Sequence, residues 1–229
     1  CMSHTAFVSV LVEAIGAAIA SPPAHFPAGE ESEQYLAHYG LQSKKYLAVH
    51  AGARMAIKRW PLQRYADLVE SLRTQIALPI IFLSDEPLPP EIVEQLRPDE
   101  HIIVAAGKVD VAVFDAVISH ALIFVGNDTG PKHLAAVRGV FTISVHMGQV
   151  NWNEWGQDGE GLIISRRVPC VGCGIEDPSE CGKEMACLTQ IQSTDVVEVV
   201  VKAYAKLRDN LASLAPESAP DHPTARTEA

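Results

Sequence analysis

From Lys45 onward, short β-branched apolar runs alternate with segments of helical period. The runs at residues 46–50, 80–83, 102–104, 122–125 and 141–145 are bounded by Gly, Pro, Asp or Lys. Runs of that length and composition fit strands buried on both faces. Between them, residues 62–76, 90–96, 109–120 and 131–138 set apolar side chains at helical spacing. This alternation predicts a parallel sheet flanked by helices, an α/β Rossmann-like domain, closed by a last long helix over residues 194–211. Ligands of such sheets bind outside the carboxyl ends of the strands, near the point where strand order reverses. The loops after Val49, Leu83, Val104, Val125 and Val145 are therefore the places to look for chemistry.

The rest of the chain is organised around that domain. Residues 22–33 carry three prolines and three glutamates and read as a linker, followed by a short helix over 32–39. Residues 214–229 are rich in Pro, Glu, Ser and Thr and read as a disordered tail. Residues 6–20 are apolar but carry Glu13 at their centre and lack a basic flank, so they read as an amphipathic helix rather than a signal peptide. No run of about 18 uncharged apolar residues marks a transmembrane helix. A net charge of -10 argues against a nucleic-acid binder. Residues 41–213 are the expected domain, with 1–40 preceding it.

Two loops are chemically distinctive. Between Glu33 and Asp67 there is no acidic residue, yet Lys44, Lys45, Arg54, Lys58, Arg59 and Arg64 fall there. Gly52 lets backbone N–H groups approach a ligand, and the cations supply charge complementarity. Pro61 sits where a first-turn proline opens a helix. The cluster reads as an anion site or as a solvated loop, and Trp60 beside it as a packing residue. The second loop, from Gly126 to His133, joins a buried strand to a helix. Thr129 is placed to cap that helix, Pro131 lies in its first turn, and the helix start offers N–H donors to a phosphate. The Asp128-Thr129-Gly130 triplet also occurs in aspartic proteases, but those are all-β and here it links strand to helix. His133 lies one turn in, with Lys132 beside it. Trp152 and Trp155, after the last of these strands, line the same edge or pack beneath its loop.

His50-Ala51-Gly52-Ala53 with Lys58-Arg59-Trp60-Pro61, and Asn127-Asp128-Thr129-Gly130-Pro131-Lys132-His133-Leu134-Ala135-Ala136, together resemble family 9 glycosyltransferases, the ADP-heptose:lipopolysaccharide heptosyltransferases. The resemblance covers residues 41–211 and includes a late cysteine-rich segment. It implies a GT-B enzyme of two Rossmann-like domains, of which this chain holds the C-terminal, donor-binding half. Residues 1–40 then correspond to the last helix of the acceptor domain and the interdomain linker. By the same resemblance Lys58 contacts the donor diphosphate beside Gly52 and Ala53, Asp128 contacts the donor sugar, Thr129 and Gly130 donate to phosphate, and His133 lies near the diphosphate. An acidic residue after the second strand contacts the nucleoside in relatives, and Glu86 is the candidate here.

The implied reaction is inverting transfer of heptose from ADP-heptose to the lipopolysaccharide inner core, without a required cofactor. The implied setting is the cytoplasm, with at most peripheral contact at the inner face of the inner membrane. The general base belongs to the acceptor domain. A non-catalytic nucleotide-binding module, or a family 9 enzyme with another sugar or acceptor, are the alternatives. The remaining motif is Cys170-x2-Cys173-x7-Cys181-x5-Cys187. Its spacing is open to a structural zinc, to disulfides in an oxidising compartment, or to reduced thiols. If zinc is bound there, the cysteine loop itself becomes a candidate interaction surface.

Overall fold

A computed structural model of the chain describes residues 29–148, 156–157 and 159–214. The apolar segment at 6–20, most of the linker, Trp152, Trp155 and all but the first residue of the tail lie outside the described residues. Helix α1 (Glu30–His38) precedes β1 (Leu47–His50), α2 (Leu62–Arg73), β2 (Ile80–Ser84), α3 (Pro90–Leu96), β3 (Ile102–Ala106) and α4 (Val111–His120). There follow β4 (Ile123–Asn127), α5 (Gly130–Val137), β5 (Phe141–His146), β6 (Gly161–Ser165), α6 (Ala186–Thr189) and α7 (Ser193–Leu214). A single 3-10 turn at Ala56–Lys58 lies between β1 and α2.

The six strands form one sheet in the order β3-β2-β1-β4-β5-β6, and every pairing is parallel. The α/β Rossmann-like architecture expected from the alternation is the one observed. Strands β1 to β3 step outward on one side, and the chain then returns to lay β4 against the other side of β1. The reversal between β1 and β4 leaves a crevice at their carboxyl ends.

Side-chain alternation along the central strand explains the two-layer cover. Leu47 and Val49 of β1 face a core that includes Leu68 and Leu72 of α2 and Val196 and Val200 of α7. Tyr46 and Ala48 face the opposite core, with Val117 and Ile118 of α4 and Ala135 of α5. All four β1 residues are buried, so the strand reads as a short apolar run, Leu47-Ala48-Val49, that ends in a buried His50. Tyr35, Leu36 and Tyr39 pack on that second core, so α1 and the residue after it join the body of the domain although they precede residue 41.

The main departures from the sequence expectation concern β6, α2 and α7. Strand β6 was not expected: only Leu162, Ile163 and Ile164 are apolar there, and as an edge strand it is half-exposed throughout. Two glycines at positive φ, Gly159 and Gly161, disguise its start. Helix α2 ends at Arg73 rather than 76, and α7 runs on to Leu214, one residue past the expected domain end. Among the described residues, no helix is long and apolar enough to cross a membrane.

One buried ion pair locks α4 to the end of α5. Arg138 Nε and Nη2 donate to the two oxygens of Asp115 at 2.8 and 2.9 Å, and both side chains are almost closed to solvent. Removing one member of such a pair strands a buried charge. Arg138→Met is therefore expected to cost about 3–5 kcal/mol in urea unfolding, and Asp115→Leu added to it to recover most of the loss.

Candidate functional site

The switch point carries a cleft of about 580 Å³, bounded by the ends of β1 to β4 and the loops that follow them. Its frame depends on Asn127, the last residue of β4, which is fully buried. Asn127 Nδ2 donates to the carbonyls of Ala51 and Gly52 at 3.0 and 3.1 Å, and its Oδ1 accepts from the Trp60 backbone N–H at 3.0 Å. One carboxamide thus ties both ends of the loop after β1 to the end of β4. Trp60 adds a second anchor by donating Nε1 to the Ile191 carbonyl at 3.1 Å while its ring meets Tyr65 edge-on. The packing role expected for Trp60 is what these contacts describe. Within the loop, Arg59 Nε donates to the Ala53 carbonyl at 2.7 Å and rounds the turn that carries Lys58.

The cleft has two chemically different ends. At one, Arg54, Lys58 and the start of α5 at Thr129 and Gly130 border the space. Thr129 stands at the N-cap position with extended backbone, but its side chain makes no capping hydrogen bond. The hydroxyl turns back toward the Asn127 carbonyl at 3.4 Å instead, so the expected side-chain cap is replaced by an uncapped helix start facing the cleft. Such a start, next to two cationic side chains, favours an anion. At the other end, Leu83, Ala105, Val111 and Phe114 form an apolar wall. Asp85 stands on its rim, with His50 Nε2 at 3.4 Å and the His50 ring edge-on to Phe114. The hydrogen bond from His50 holds the Asp85 carboxyl below its ordinary range, against a smaller opposing effect of burial. Gly52 is packed into this corner: a Cβ there would collide with the Asp85 carboxylate and lie 2.7 Å from the His50 ring.

Between the two ends lies Asp128, whose carboxylate meets Lys58 Nζ at 3.2 Å and Lys132 Nζ at 2.6 Å. Burial alone raises its pKa, but the positive groups around it outweigh burial and hold it at about 2. His146, 3.7 Å from Asp128, is itself driven down to about 4 by burial. It is therefore uncharged at neutral pH, and the two ammonium groups are what keep Asp128 ionised.

Of the residues singled out in the sequence, Gly52, Ala53, Lys58, Asp128, Thr129 and Gly130 border the one cleft. Glu86 and His133 do not. Glu86 is exposed and pairs with Arg59 at 3.6 Å, while its neighbour Asp85 takes the place on the rim. His133 is exposed, whereas Lys132 is completely buried beneath Asp128. The i,i+4 spacing of Asp128 and Lys132 at a helix start is a sequence signal for that pair. Asp85 and His146 carry no comparable signal.

The four clustered cysteines are free thiols away from the cleft. Together with Ile57, Met147 and Met185 they border a small cavity behind the Ala56–Lys58 turn. Burial raises the Cys187 thiol, and a backbone hydrogen bond from Gly148 works against it. No group of three or more His, Cys, Asp or Glu side chains among the described residues is arranged to hold a metal ion.

Asn127→Ala should orphan the buried Trp60 N–H and cost about 1–3 kcal/mol in denaturant unfolding. Asn127→Asp should cost more, because its carboxylate would replace the amide donor that serves the Ala51 and Gly52 carbonyls.

Comparison with known proteins agrees with this fold. Among curated protein sequences, none matches the chain. Among solved structures, the chain is similar to a glycosyl transferase family 9 protein from Veillonella parvula, at 19% identity and a TM-score of 0.66 over 90% of this chain and 60% of that one. It is similar to E. coli ADP-heptose lps heptosyltransferase II at 18% identity and a TM-score of 0.59, over 82% and 56% of the two chains. It is also similar to the iron-containing dodecameric glycosyltransferase TibC of enterotoxigenic E. coli at 14% identity and a TM-score of 0.56, over 73% and 48%. The chain thus spans 60% or less of the length of these structures. The family model for glycosyltransferase family 9 (heptosyltransferase) matches residues 5–184, and the chain belongs to that family.

Proposed function

We propose that the chain is the donor-binding part of an inverting glycosyltransferase that moves heptose from ADP-heptose to the lipopolysaccharide inner core. The observation that carries this reading is the two-ended cleft. A cationic end with an uncapped helix start suits a diphosphate, and an apolar end with a rim carboxylate suits a nucleoside. Asp85, rather than Glu86, is then the acidic partner for the ribose hydroxyls. Asp128, between the two ends, is placed for the donor sugar. The likeness to an ADP-heptose lps heptosyltransferase supports the choice of donor and acceptor.

In this reading the chain supplies the leaving-group half of the transfer. When the bond from the sugar to the diphosphate breaks, negative charge grows on the departing phosphate oxygen. Lys58, Arg54 and the start of α5 border the part of the cleft where that charge develops. The proton on the acceptor hydroxyl needs a separate base. Asp128 is unsuited to that role, since a carboxyl held at about 2 is a weak base and its oxygens are already engaged by ammonium groups. The base lies outside the described residues, in the domain that receives the acceptor. The setting that goes with this reading is the cytoplasm, with at most peripheral contact at the inner face of the inner membrane.

Calorimetric titration with ADP, GDP and UDP tests the reading. ADP is expected to bind tightest, and Lys58→Ala to weaken it by roughly ten- to a hundredfold. Asp85→Ala should weaken ADP more than it weakens pyrophosphate, and Glu86→Ala should change neither. A folded chain that binds no nucleotide alone or with its acceptor domain would refute the donor-site reading. Binding without transfer by the two-domain protein would favour a non-catalytic nucleotide module.

The cysteine loop supports a second, separate measurement. Four thiols border one small cavity, and TibC is an iron-containing relative in fold. As they stand, the thiols are not arranged as a ligand set. Metal analysis of protein purified without chelator decides the state of the loop: one iron or zinc per chain that is lost in Cys173→Ser identifies a structural metal, and freely titrating thiols at all four loop cysteines, in addition to Cys1, in metal-free folded protein exclude one.

A further inference from the structure

Asp128 is almost closed to solvent, yet it borders the cleft. Its two oxygens are held by different lysines: Oδ2 accepts from Lys58 Nζ at 3.2 Å, and Oδ1 from Lys132 Nζ at 2.6 Å. The two lysines differ in their freedom. Lys132 has no exposed surface, donates also to the Gly156 carbonyl at 3.2 Å and lies 3.5 Å from His146 Nε2. Moving it would strip an ammonium of its partners inside the protein, which is strongly unfavourable. Lys58 is 24% exposed and borders the open cleft, so rotation about its own side-chain bonds is enough to move its ammonium.

We infer that Asp128 has one permanent and one exchangeable partner: Lys132 holds it throughout, while Lys58 leaves it for the diphosphate of an incoming donor. Lys132 is thereby a positioning residue that acts through Asp128. It keeps the carboxylate ionised and directed into the cleft once Lys58 has gone. The inference rests on the diphosphate reading of the cleft and adds to it the order of the ionic contacts. The physical need is clear. With Lys58 on the phosphate, Asp128 would stand beside a second anion with no counter-charge, and burial would favour its protonated form. Lys132 prevents this from below, where no ligand can displace it.

The groups that face Asp128 are Lys58 from the turn after β1, Lys132 from α5 and His146 from the end of β5, with His133 of α5 acting on His146 from farther out. Burial pushes the Asp128 carboxyl up, and these groups bring it down to about 2. In the wild type it therefore stays ionised between about pH 5 and pH 8. In Lys132→Met, burial is opposed by Lys58 alone for as long as His146 stays uncharged, and the carboxyl rises. At pH 8 the ionised Asp128 then holds Lys58 alone. As pH falls, protonation of Asp128 releases that lysine.

The test titrates inorganic pyrophosphate and ADP into wild type, Lys132→Met, Lys132→Arg, Asp128→Asn and the Asp128→Asn/Lys132→Met double variant, with folding checked by circular dichroism. At pH 8, Lys132→Met is expected to bind pyrophosphate about tenfold more weakly than wild type. The deficit relative to wild type should close at about pH 5 and in the double variant, and should be small in Lys132→Arg. Asp128→Asn alone should bind pyrophosphate more tightly than wild type, and this gain should vanish when Lys58→Ala is added. That comparison needs no Lys132 variant, should Lys132→Met fail to fold. Carbon-13 carboxyl titration of Asp128 supplies a readout without ligand and should move upward when Lys132 is removed.

Equal pyrophosphate affinity in wild type and folded Lys132→Met at pH 8, or no gain in Asp128→Asn, would overturn the exchange. An Asp128 carboxyl that titrates alike with and without Lys132 would overturn the positioning role. A wild type that binds neither pyrophosphate nor ADP would sink the diphosphate reading and the exchange with it, and the carboxyl titration would then report on the Asp128–Lys132 pair by itself.

Discussion

The carboxyl edge of this sheet is organised by one side chain. A buried carboxamide must find partners for its N–H and C=O groups, because each one left unpaired costs more than a hydrogen bond returns. Asn127 finds them on the main chain of the segment after β1, at Ala51, Gly52 and Trp60. The path of that segment is thereby set at both ends, and the turn between them presents Lys58 to Asp128, the next residue in the chain after Asn127. The cleft, its cationic end and the contact between Lys58 and Asp128 all follow from that one requirement.

Charge is distributed to match. The chain carries a net charge of -10, yet the cleft concentrates Arg54 and Lys58 beside a helix start. An acidic protein that surrounds a small cationic site discourages polyanions in general, while the site admits one compact anion. The apolar wall on the other side of Asp128 then restricts which anions gain from binding. A bare phosphate reaches only half of the cleft, and a nucleoside diphosphate reaches both halves.

Much of this was legible in the sequence. The β-branched runs place the first five strands to within about two residues at either end, because a strand buried on both faces can contain little else. Gly52, Lys58 and Asp128 stood out because the glycine and the charges lie beside predicted strand ends. Strand β6 did not, since an edge strand needs only one well-covered side and its apolar run is three residues long. The choice between Asp85 and Glu86 turns on one residue of register in the loop after β2, which apolar spacing does not set. His133 and Lys132 are likewise neighbours on the first turn of α5. The helix buries Lys132 against Asp128 and leaves His133 outside, contrary to what charge alone would favour. Lys132 is tolerated there because its ammonium has Asp128 and the Gly156 carbonyl as partners.

The Ala56–Lys58 turn has two sides with different neighbours. Ile57 is buried against the cysteine-lined cavity, and Lys58, the next residue, projects toward the cleft. Trp60, two residues on, is fastened to Ile191 at the start of the segment leading into α7. The thiol loop and the anion end therefore share a wall only one residue thick. Changes in volume on the cysteine side are passed through that wall, since neither Asn127 nor Ile191 lets the segment drift away from it. Substitutions in the two places should thus be inherited as matched sets, and grafting the cysteine loop of one family member onto another is a change to its anion site as well.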